Sequence, residues 1–166
     1  MRKILVLGVL AALIAPAATS ASHAKAGRAA AVKLCRQQRA EMGKQAFRHL
    51  YGKKHAMATC AAKVQKQQTT NMQNAAQQCK AERDEGAAAF ADKYGTGKNK
   101  RNAFGKCVSQ KAQAKSQAEQ EATVNAAKEC EAERDAGLQA FRDKYGTNHN
   151  KRNAFGKCVS SKVNGK

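Results

Sequence analysis

The chain has 166 residues, with 31 Lys and Arg against 12 Asp and Glu, a formal net charge of +19, six Cys, one Pro and no Trp. Its apolar content is mostly alanine: after residue 24 there are three Leu, six Val, five Phe and no Ile. So few large apolar residues beside so high a charge exclude one large hydrophobic core and would by themselves predict disorder.

Residues 1–24 read as a secretory signal peptide. Arg2 and Lys3 form the charged start, residues 4–15 the apolar stretch, and Ser22-His23-Ala24 a small-x-small cleavage site. An apolar run of about a dozen residues is short of the roughly 20 a membrane span needs. No cysteine sits just after the cleavage site, and no second hydrophobic stretch follows. The sequence therefore predicts cleavage near Ala24 and release to the periplasm or the exterior, with no integral membrane segment afterwards.

Residues 28–66 form a degenerate first copy of a unit that recurs at 72–115 and 123–166. Residues 75–112 and 126–163 align without a gap, with 27 of 38 positions identical. The first copy keeps Cys35 and Cys60, Gly43, Phe47 and the pair Tyr51-Gly52. Cys35, His49, His55 and Cys60 could be read as a zinc set, but the spacing matches no common finger and the second copy has no histidine. No metal and no cofactor is expected.

Within the complete unit a helix is predicted over 75–83, carrying Cys79. Asp84 and Gly86, like Asp135 and Gly137, then interrupt good helix-forming sequence. A second short helix places Phe90 and Tyr94 on one face and ends at Gly95, in the position of a left-handed cap. A polar loop follows over 96–99. The next helix begins near Asn99 or Asn102 and displays Phe104, Cys107 and Val108 on one face. A straight hairpin would leave Cys79 and Cys107 mismatched by roughly 10 Å; a break near Gly86 would bring them together.

Six cysteines allow fifteen pairings. Pairing within each copy, Cys35–Cys60, Cys79–Cys107 and Cys130–Cys158, is the simplest scheme that serves all three units. Its rival joins Cys60 to Cys79 and Cys107 to Cys130 and leaves Cys35 and Cys158 to find each other. Each loop closed within a copy would contribute roughly 3–4 kcal/mol by restricting the unfolded chain, about what a core this small supplies. Residues 61–78 and 108–127 are Ala/Gln/Lys-rich, without Gly or Pro. They read as helices or frayed linkers, helix being favoured, that hold the units loosely as beads on rods. The fold class is all-α: three tandem disulfide-stapled helical-hairpin-like units joined by long Ala/Gln/Lys-rich helices or linkers.

The loops 95–101 and 146–152 have the most site-like composition. Lys98, Lys100, Arg101 and Lys106, with Lys151, Arg152 and Lys157 in the third unit, form a candidate anion-binding set before a helix N-terminus. The alternative is a capped turn whose Asn and Gly serve backbone geometry. Gly105-Lys106-Cys107 lacks the flanking residues of a phosphate-binding loop, no CxxC pair offers redox chemistry, and His149 has no partner for catalysis. The acids Glu82, Asp84 and Glu85 are interleaved with Arg83 and read as helix caps and intrahelical pairs. No enzyme is expected.

Net charge falls along the chain: residues 25–71 hold eleven Lys and Arg with Glu41 the lone acid, 72–118 nine against four, and 119–166 nine against seven. Such a surface attracts polyanions, here cell-wall polymer, lipopolysaccharide, acidic lipid or extracellular nucleic acid. The alternative is a structural or protein-interaction module in which charge serves only solubility.

The string Lys144-Tyr145-Gly146-Thr147-Asn148-His149-Asn150-Lys151-Arg152-Asn153-Ala154-Phe155-Gly156-Lys157-Cys158-Val159-Ser160 resembles a motif of uncharacterised secreted bacterial proteins. Residues 94–109 echo it, and the first copy departs from it after Gly52. The resemblance implies export and a helical, cysteine-containing unit, and it carries no activity.

Overall fold

Alanine, glutamine, lysine and glutamate dominate the chain, and all favour helix. The computed structural model describes residues 19–165, with side chains from Gly27 onward. Among these residues there are seven helices and no strand: α1 (Thr19–Met42), α2 (Lys44–Tyr51), α3 (Ala56–Glu85), α4 (Ala87–Tyr94), α5 (Ala103–Ala136), α6 (Leu138–Tyr145) and α7 (Ala154–Val163). The apolar stretch read as a signal sequence lies outside the described residues. Helix α1 passes through Ser22-His23-Ala24.

Each unit is a long helix, a short helix and a returning helix, closed by one disulfide. Cys35 is bonded to Cys60, Cys79 to Cys107 and Cys130 to Cys158, with Cα atoms 6.0 Å apart in each pair. The units share their long helices. Helix α3 carries both Cys60 and Cys79, and α5 carries both Cys107 and Cys130. The segments 61–78 and 108–127 are thus the middles of two helices, of 30 and 34 residues.

The chain breaks after Glu85 and again after Ala136, where Gly86 and Gly137 are extended at φ −172° and −176°. The break turns a short helix back along its unit. In each unit this helix presents an aromatic pair one turn apart: Phe47 and Tyr51, Phe90 and Tyr94, Phe141 and Tyr145, with ring centroids 4.8, 4.9 and 5.0 Å apart. These rings pack with the disulfide into the interior of their own unit.

The units are not beads on a rod. Helix α3 lies along both α1 and α5, and α5 also meets α1 and α7. At 1.5 Å per residue, Cys60 and Cys79 stand roughly 28 Å apart along α3, and Cys107 and Cys130 about 34 Å apart along α5. The path therefore goes out and back, which puts the second unit at one end and returns the third unit to the first. Phe47, Tyr51, Val64, Val124, Phe141, Phe155 and Val159 join one buried cluster spanning units one and three. Phe90, Tyr94 and Ala103 form a separate, smaller one around Cys79 and Cys107. Alanine makes the return possible: Ala75, Ala112, Ala126 and Ala127 are buried along α3 and α5, and small side chains let helix axes approach. Between the two helices, buried Asn71 donates from Nδ2 to Glu119 Oε2 at 2.7 Å and Ser116 Oγ at 3.1 Å.

Candidate functional site

The two loops with site-like composition are built alike. Asn102 does not cap α5 through its side chain. Its Oδ1 accepts from the Thr96 backbone N–H at 2.9 Å and its Nδ2 donates to Thr96 Oγ1 at 2.6 Å, tying the loop shut. Asn153 does the same to Thr147 in the third unit. Asn99 and Asn150 each accept from the backbone N–H two residues on, at 3.3 and 3.1 Å. Lys100 and Lys151 sit in the left-handed region, φ 50° and 52°.

Gly95 caps α4, as the sequence suggested, and Gly146 caps α6, but neither is left-handed. Both are extended, at φ −76° and −75°. Glycine is required there for close approach. A Cβ on Gly95 would lie 2.5 Å from both the Ala91 carbonyl oxygen and Lys100 Cβ, and one on Gly146 would lie 2.5 Å from the Arg142 carbonyl oxygen. The loop is folded down onto the end of the short helix, and the glycine is where it touches.

This tight loop divides the seven cations named from the sequence. Lys100 and Lys151 turn back onto Asp92 and Asp143 of their own unit, so their charge is compensated. Lys98, Arg101, Lys106, Arg152 and Lys157 are exposed. None of these five makes an ion pair among the described residues. The sulfurs of Cys35 and Cys60 are bonded to each other. His49 lies against Phe155, ring centroids 5.5 Å apart.

A polar cluster that the sequence reading missed sits beside each of the last two disulfides. Glu82, read as part of a helix-capping and intrahelical set, instead reaches across helices. It accepts from Tyr94 Oη at 2.8 Å and pairs with Lys111 of α5 at 2.6 Å and Lys93 at 3.4 Å. Glu133 repeats this with Tyr145 at 2.9 Å, Lys162 of α7 at 2.8 Å and Lys144 at 3.1 Å. The signal was available: the acid stands three residues after the first cysteine and the lysine four after the second, on the helical faces that carry the disulfide. In the first unit Gln38 and Val64 occupy these two positions. There Tyr51 donates to Gln38 Oε1 at 2.8 Å inside the shared cluster, and burial pushes the Tyr51 phenol up to about 12. A neutral pair suits a unit whose side is covered by another.

The hydrogen bonds from Lys111 and Tyr94 hold the Glu82 carboxyl down to about 2, and those from Lys162 and Tyr145 do the same for Glu133. A carboxylate depressed in the fold stabilises when ionised. Its contribution is complete above the unfolded value near 4.5 and is lost as pH falls from there towards 2. Glu133→Gln should therefore lower the urea midpoint at pH 7 and lower it much less at pH 2.5. The effect is modest because the Glu133 side chain is 33% exposed and solvent screens it. Equal loss at both pH values would show that the carboxylate charge contributes nothing.

Comparison with protein-family models, curated proteins and solved structures finds no match to this chain. What the structure defines is an all-α fold stapled by three disulfides.

Proposed function

We propose that the chain is an exported, non-enzymatic cationic repeat protein that binds anionic surfaces or polymers: cell-wall polymer, lipopolysaccharide, acidic lipid or extracellular nucleic acid. The observation that carries this reading is the distribution of compensated charge. Residues 28–66 hold ten Lys and Arg and one acid, Glu41. Among the described residues none of those cations forms an ion pair, while Glu82, Asp92, Glu133 and Asp143 of the later units are all engaged. A face of unpaired Arg and Lys releases counterions when a polyanion covers it. Three disulfides fit an oxidising compartment. No described helix is long and apolar enough to cross a membrane.

Retention on heparin and DNA resins tests the reading. Elution should come at high salt, and removing one phosphate-binding cation should lower the log–log salt slope by about 0.9 on duplex DNA. Replacing exposed Arg36, Arg39, Lys54 and Lys66 by glutamine should bring elution to clearly lower salt. Retention unaffected by salt, or a fourfold variant that elutes with the parent, would sink it.

A second reading, a protein-interaction module whose charge serves solubility, is favoured by one feature. Met72, 56% exposed, borders a groove shared with Leu34 and Ala112 between the long helices. Binding through that groove would be insensitive to salt.

A further inference from the structure

The return of the third unit to the first seats α2 on α5 and α7 and leaves a cleft of about 530 Å³ between the units. Its floor is apolar. Phe141, Ala154 and Phe155 are buried there, and Leu138 remains 49% exposed. Its walls are cationic, with Arg48 and Lys53 from the first unit and Arg142 and Arg152 from the third. No Asp or Glu lines it. Among the described residues these four cations make no ion pair. Deeper in, Arg134 has a side chain only 10% exposed; it pairs with Asp135 and Glu131, yet its Nη1 is shut off from solvent and has no partner. Like charges gathered over an apolar floor repel one another at lower dielectric than on an open surface. The nearby acids Asp135 and Asp143 are engaged with Arg134 and Lys151 instead.

Comparison of the three units shows where this chemistry is placed. The residue after the phenylalanine of the short helix is Arg48 in the first unit and Arg142 in the third, the two that meet, and Ala91 in the second. Among the described residues the second unit's short helix packs only on α3 and α5. Leu138 likewise has Ala87 as its counterpart. Arg83, the counterpart of Arg134, has a side chain 46% exposed and pairs with Asp84 at 3.6 Å. At these two cleft-lining positions the third unit thus has arginine and leucine where the second has alanine.

We infer that this cleft binds a phosphomonoester bearing an apolar group, its phosphate held by Arg48, Arg142 and Arg152 and its apolar part on Leu138, Phe141 and Phe155. Four uncompensated cations call for more than one negative charge, which a carboxylate does not carry and a phosphomonoester at pH 7 does, at about −1.5 to −2. Guanidinium groups match phosphate oxygens two at a time. The apolar floor then selects an aryl or acyl ester over free phosphate. The site stands apart from polymer binding, since a polyanion can coat the first unit with the cleft empty, and the reverse.

His49 reports on occupancy. Burial first, then Arg134, Lys53 and Arg48, hold its imidazole below the ordinary value, opposed by Asp135. A phosphate seated among these groups should raise it. The experiment uses the full, disulfide-bonded chain titrated with 1-naphthyl phosphate by calorimetry and by the His49 ring resonances. One saturable site is expected, with inorganic phosphate and 1-naphthol each at least about tenfold weaker and the His49 titration moved to higher pH. Arg48→Ala and Arg142→Ala should each weaken binding by about tenfold or more, Leu138→Ala less, and Arg101→Ala in the second unit should change nothing. All four are exposed positions, and thermal melts of the variants verify folding. Vesicles containing phosphatidic acid that displace naphthyl phosphate would assign the site to a lipid headgroup; absence of displacement would assign it to a soluble ester. No saturable binding at millimolar probe, two equal sites, or unchanged affinity in both arginine variants would overturn the proposal. Loss of naphthyl phosphate binding with heparin retention intact separates this site from the polymer-binding surface.

Discussion

Replacing Cys130 and Cys158 together by serine should lower the melting temperature by about 10 °C and remove hydrogen-exchange protection from the first unit as well as the third. The bond closes a separation of 28 residues, for which chain restriction contributes roughly 3–4 kcal/mol; in a chain of this size each kcal/mol moves the melting point by roughly 2–4 °C. The reach into the first unit comes from packing. Helix α7 has ten residues, too few to be stable alone, and it carries Phe155 and Val159 into the cluster that also holds Phe47 and Tyr51. Freed from α5, it would fray and uncover them. The matching replacement of Cys79 and Cys107 should behave differently. That bond sits in its own cluster with Phe90, Tyr94 and Ala103, so protection should be lost in α4 and the following loop and kept in α1, α2 and α7. Identical exchange patterns in the two variants would contradict the two-cluster organisation. A Cys107–Cys130 linked peptide in a non-reducing digest would contradict the pairing itself.

The helices were readable because their determinants are local. Alanine, glutamine and lysine without Gly or Pro gave α3 and α5, and Asp-Glu-Gly at 84–86 marked where α3 gives way to α4. The role of Gly95 was not readable, since a cap glycine and a close-approach glycine look alike until Lys100 is seen against it. Neither was the role of Asn102, which binds Thr96 six residues back instead of capping its own helix. The larger omission was the bundle. Alanine in a long helix reads as filler, and only the return of α5 along α3 shows Ala75 and Ala112 to be interior residues. The charge gradient was visible by counting, but which cations are compensated depends on pairs such as Lys111 with Glu82, 29 positions apart in the chain. The cleft between units one and three followed from none of these local signals. It exists because two shared helices bring the ends of the chain back together.

That return makes a sharp distinction between two residues in identical settings. Phe104 and Phe155 both stand in the string Asn-Ala-Phe-Gly-Lys-Cys-Val-Ser, and local propensity cannot separate them. Phe155 is 5% exposed, with its ring 6.4 Å from Phe141 and 5.5 Å from His49 of the first unit. Phe104 is 36% exposed and meets Arg83, whose guanidinium lies 5.5 Å from the ring centroid. Truncating a buried phenylalanine costs about 3–5 kcal/mol through lost transfer energy and the cavity left behind. An exposed one forfeits roughly 0.5–1 kcal/mol of cation–π attraction and little burial. Urea denaturation should therefore find Phe155→Ala destabilised by about 3 kcal/mol or more and Phe104→Ala by about 1 kcal/mol. In calorimetric titration Phe155→Ala should also lose naphthyl phosphate binding. Equal costs would mean that the third unit does not rest on the first in solution. The cleft would then be open, its arginines would be separate surface charges, and the chain would be the string of loose beads that its composition suggests.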